Sequence, residues 1–139
     1  MGKAKNDTTK IKTFKEIRIM DKNIFGFFND SNSKHGNNAA LVVDNTEYKY
    51  NDLSFKAGQV SAILSNYKQE RIGVFGLRSL TCYTGILGTL ACGKTYVPLN
   101  PKFPTERNRA IISLAEIEVL VVDDIGLEQL NIMADSLKK

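Results

Sequence analysis

Histidine occurs once in these 139 residues and cysteine twice, which leaves no set of side chains from which to build a metal centre. Cys82 and Cys92 fall on different turns of what reads as one buried helix, so they cannot meet as a disulfide and are expected to be reduced core residues. His35 stands among Ser, Asn and Gly and is expected to be a solvated loop residue. No apolar run approaches the ~20 residues of a membrane span, and residues 1–22 lack the hydrophobic centre of a signal peptide. A cytoplasmic protein with no membrane partner is therefore expected. Acidic residues are scarce at the start, where Lys3, Lys5, Lys10, Lys12, Lys15, Arg18 and Lys22 face only Asp7, Glu16 and Asp21. Residues 1–21 are expected to form a flexible basic leader. With Phe14 its single aromatic, the leader offers no interleaved stack for bases, and no nucleic-acid partner is expected.

The whole sequence has the composition of a folded domain, with 42% hydrophobic and 24% charged residues and a net charge of +4. The length suits one domain with a real core and is too short for two. Within it, Gly88-Thr-Leu-Ala-Cys-Gly93-Lys94-Thr95 matches G-x-x-x-x-G-K-S/T, the phosphate-cradling P-loop. That loop works only in the order strand, loop, helix, because the helix N-terminus must point at the anion. Here the order reads the other way. Ser79 is a helix N-cap candidate, and Leu80, Cys82, Tyr83, Ile86, Leu87, Leu90 and Ala91 form an apolar helical run. Gly93 sits where a C-cap glycine belongs, and Thr95-Tyr96-Val97-Pro98 is strand-like. Asp123 and Asp124, after a later strand, are the best magnesium ligands a nucleotide-binding reading can offer.

Periodicity predicts a weak helix at 11–20, a short helix at 22–29 whose aromatic face caps the core, and a loop at 30–38. A hairpin follows, with strands 39–44 and 47–50 joined by a turn at Asn45-Thr46. Asn51 is expected to cap a helix that buries Leu53, Ala57, Val60, Ile63, Leu64 and Tyr67, with Asp52, Lys56, Gln59 and Ser61 outward. Then come strand 71–76, helix 79–92 with Gly85 and Gly88 for close packing, and strand 95–99. A helix from Pro104 at N1 to Ala115, strand 118–122 and helix 125–138 complete the chain. Strand and helix alternate in the later half. The fold class expected is α/β, a mostly parallel sheet flanked by helices.

Three segments carry a family resemblance. Tyr48-Lys-Tyr-Asn-Asp-Leu53 is similar to L-T-Y-x-E-L, and Arg71-Ile-Gly-Val-Phe-Gly-Leu-Arg-Ser79 to V-G-(V/I)-x-x-x-R-S. Residues 90–107, LACGKTYVPLNPKFPTER, resemble L-K-A-G-x-x-Y-V-P-L-D-P-x-x-P-x-E-R, and a V-L-V-V-D-D strand follows. Together they resemble the N-terminal portion of the adenylate-forming (AMP-binding) superfamily, most closely amino-acid adenylation domains of nonribosomal peptide synthetases and D-alanine–carrier protein ligases. The likeness runs from about Asn23 to Asp124. Ala91-Cys92 replaces Lys-Ala, Asn100 replaces Asp, and Asp52 replaces Glu. The short polar side chains of Asn100 and Asp52 can still bond nearby backbone. Pro98, Pro101 and Pro104 steer the chain from strand to helix, and Glu106 and Arg107 can pair or cap in that helix's first turn.

The resemblance implies a parent enzyme that joins a carboxylate to the α-phosphate of ATP and passes the acyl group to a carrier thiol. It also implies that residues 22–139 are the truncated N-terminal part of an adenylation-domain core. The family's phosphate loop, adenine and ribose contacts and C-terminal lysine have no counterpart in this sequence. No catalytic, cofactor-binding or metal residue is therefore assigned here, and ATP and Mg are expected only in the complete parent. The expected partner is the remainder of the adenylation domain or a complementing subunit, with a carrier protein reached through the parent. The resemblance implies no activity for this chain alone. The alternatives are a non-catalytic docking module derived from the same fold and a small P-loop nucleotide binder.

Overall fold

The computed structural model describes residues 23–135. The leader with its expected helix at 11–20, and the last residues of the C-terminal helix, lie outside that span. The elements run α1 (Ile24–His35), β1 (Ala39–Val43), β2 (Thr46–Lys49), α2 (Tyr50–Leu64), β3 (Arg71–Phe75), α3 (Leu80–Ala91), β4 (Thr95–Leu99), α4 (Thr105–Leu114), β5 (Val119–Val122) and α5 (Asp124–Asp135). β1 and β2 form an antiparallel hairpin, and the other strands form a parallel sheet in the order β4-β3-β5.

Alternation along β3 sends Val74 and Phe75 to opposite faces. On one face Phe75, Leu99, Ile117 and Met133 form a buried cluster, packed by Ile111 and Ile112 of α4 and Leu130 of α5. The other face takes α3, whose Gly85 lets the helix approach so closely that a Cβ there would meet Val121 at 2.8 Å. Gly88 does the same toward α2, where a Cβ would stand 2.7 Å from Val60. Sheet on one side and α2 on the other explain why α3 is apolar nearly all round. The mostly parallel α/β architecture expected from the alternation is therefore present.

Several local expectations need correction. Residues 30–35 are helical rather than a loop, and His35 is exposed in the last turn of α1. Asn23 caps the first turn, and within the polar run Ser31 and Ser33 satisfy their hydroxyls on the carbonyls of Phe27 and Asn29 at 3.1 and 2.9 Å. Phe28 also stacks on Phe25 and Tyr50, tying α1 to α2, although Ile24 and Phe27 stay exposed. The hairpin turns one residue earlier than expected, because Asp44 and Asn45 both adopt positive φ, 49° and 59°, as a tight two-residue turn requires.

α2 starts before Asn51, since the Asp52 carboxylate accepts the Lys49 N–H at 2.9 Å and caps the helix from inside its first turn. That helix buries Leu53, Ala57 and Leu64 but leaves Ile63 and Tyr67 exposed; Tyr67 lies past its end. Pro104 occupies the N-cap of α4 rather than N1, a one-residue difference that keeps its missing N–H harmless.

Candidate functional site

In a parallel sheet the reactive edge is the carboxyl end of the strands, at the point where neighbouring connections leave to opposite faces. β3 feeds α3 on one face, while β4 and β5 feed α4 and α5 on the other. The loops after these strands therefore define the candidate site: Gly76-Leu77-Arg78-Ser79 after β3, Asn100 after β4 and Asp123 after β5.

Asp123 is the organising residue. It is buried, and its Oδ2 accepts the Leu77 N–H at 2.8 Å, the Ser79 hydroxyl at 2.8 Å and the Cys82 thiol at 3.5 Å. Its Oδ1 accepts the Gly126 N–H at 2.7 Å. Ser79 accepts the Cys82 N–H at 3.2 Å in turn, so one carboxylate gathers the N-termini of α3 and α5. Burial pushes the Asp123 carboxyl upward, but the donors from Gly126, Leu77, Ser79 and Cys82 outweigh it and hold the group below its ordinary range. Cys82 moves the other way. Burial raises its thiol and the neighbouring Asp123 charge adds to that, against smaller lowering by Ser79. A thiol so placed is a poor nucleophile.

The P-loop match fails in three dimensions as well. Its glycine and lysine join the end of α3 to β4, and Gly93 takes φ 75°, the left-handed conformation of a helix C-cap glycine. The Lys94 ammonium is already spent, donating to the carbonyls of Tyr67 and Gln69 at 2.8 Å each. It staples the loop after α2 to the start of β4 and does not fit a phosphate. Lys94→Ala is accordingly expected to cost about 1–2 kcal/mol in urea unfolding. Calorimetry should give no Mg-ATP binding for either form; tight binding lost with Lys94 would restore the P-loop reading. Among the described residues no three or more His, Cys, Asp or Glu side chains gather as a metal site requires.

The proline-patterned segment folds as a scaffold. The Asn100 side chain accepts the Lys102 N–H at 2.8 Å, and its carbonyl takes the buried Asn108 amide at 2.9 Å, fixing the turn between β4 and α4. Arg107 lies over the Phe103 ring at 3.9 Å rather than pairing with Glu106. Sequence reasoning missed the role of Asp123, treating it only as a possible magnesium ligand. The available signal was an acidic residue closing a fully apolar strand, beside a Ser-capped helix.

Among the described residues no helix is long and apolar enough to cross a membrane. The family model for the AMP-binding enzyme matches residues 28–139. Gramicidin S synthase 1 of Brevibacillus brevis is 32% identical over 104 residues, a stretch covering 73% of this chain and 10% of that protein. Among solved structures, the Vibrio cholerae adenylation domain AlmE, in complex with glycyl-adenosine-5'-phosphate, is similar with a TM-score of 0.72 and 19% identity, over 98% of this chain and 23% of that one. The Klebsiella oxytoca NpsA N-terminal subdomain, in complex with 3-hydroxyanthranilyl-AMSN, gives a TM-score of 0.68 at 24% identity, over 74% of this chain and 27% of that one. At those identities the two structural likenesses concern the fold. The chain thus spans only a fraction of the length of the proteins it matches.

Proposed function

We propose, from the premise that this chain belongs to the AMP-binding enzyme family, that it is the N-terminal scaffold of an ATP-dependent ligase that activates an amino or carboxylic acid as its adenylate. The observation that supports this most is residues 90–107. They pass from the end of α3 through Gly93 into β4, and through a bonded Asn100 turn into α4, with Lys94 committed to backbone carbonyls. A segment built that way sets the spacing of sheet and helices and contributes no reacting group. The groups that would bind ATP and Mg, stabilise the departing pyrophosphate and deliver the acyl group to a carrier thiol belong, on this reading, to the rest of the adenylation domain. Such a ligase would work in the cytoplasm, where ATP is available.

Charge developing on phosphate must be met by placed donors and cations. Polypeptide 1–139 alone is therefore expected to give no ATP–pyrophosphate exchange above background with any amino acid. The complete enzyme, or this chain supplemented with a polypeptide carrying the missing half, should give exchange that depends on one acid or a few. Robust exchange by residues 1–139 alone would overturn the scaffold assignment. Absence of exchange from the complete enzyme with every acid would overturn the ligase assignment. An immunoblot of source extract provides the complete species to assay, expected to be several times larger than 15.5 kDa.

A further inference from the structure

We draw no further inference here: the strongest candidate, the apolar groove lined by Phe28 of α1, Leu41 of β1, Tyr50 and Leu53 of α2 and Tyr83 and Ile86 of α3, is an unpartnered face, and nothing in the structure shows what covers it.

Discussion

Asp123→Ala is expected to lower the unfolding free energy by about 3 kcal/mol, measured by urea titration near neutral pH. The magnitude follows from what the truncation strands. Backbone N–H groups of Leu77 and Gly126, the Ser79 hydroxyl and the Cys82 thiol all donate to this carboxylate, and the site is buried. Removing the acceptor leaves those donors without a partner where water has poor access, and an alanine methyl recovers little. Asp123→Asn isolates the charge: it keeps the shape but turns two donors of its own toward donors, and should cost about 2 kcal/mol.

The pH dependence follows from the direction of the Asp123 shift. Its folded carboxyl titrates below its unfolded value, so the folded state holds the charged form more firmly. The stabilisation is fully present above the unfolded pKa of about 3.9 and is lost as pH falls through the folded value. Wild type should therefore lose stability on acidification below about pH 4 more steeply than Asp123→Asn, and the two curves should converge. Parallel curves, or an Asp123→Ala variant as stable as wild type, would remove Asp123 from its place as the tie between β3 and β5.

Much of this fold could be read from residue pattern because its signals are local. Ser79 and Gly93 bracket α3 as cap residues, the apolar strands alternate with helices, and three prolines prevent a helix where β4 turns into α4. What escaped was the choice among competing partners, some near in sequence and some far. The polar run Asp30–His35 reads as loop because Ser and Asn favour turns, yet the Asn23 cap and the packing of Phe28 on Tyr50 carry the helix through it. Asn51 looked like a cap because its type is right, but Asp52 reached back first. The Leu77–Asp123 and Ser79–Asp123 bonds join residues more than forty positions apart, and no periodicity encodes which acidic residue will point inward. The lysine of the P-loop match shows the converse. A motif fixes residue types, while the order of elements decides whether its charge faces an anion or, as here, the carbonyls of Tyr67 and Gln69.

Gly126→Ala should destabilise the chain by about 3 kcal/mol, against the sign that helix propensity alone would give. Gly126 lies in the first turn of α5, where exchanging Gly for Ala ordinarily gains up to ~1 kcal/mol. A Cβ at this position, however, would run into the backbone carbonyl of Phe75 and approach Val122 Cγ1 at 3.0 Å. Phe75 is fully buried in the central strand, and its carbonyl accepts the Asp123 N–H at 3.2 Å, so it cannot swing aside as a flexible side chain would. The helix must move instead. Its movement would lengthen the Gly126 N–H contact to Asp123, whose other oxygen holds Leu77 and Ser79. Part of the cost should therefore be shared with the Asp123 network. In a double-mutant cycle the Gly126→Ala and Asp123→Ala losses should sum to more than the double variant loses, by about 1 kcal/mol. Strict additivity would mean that the clash is absorbed within α5 and that the two helix N-termini are held independently.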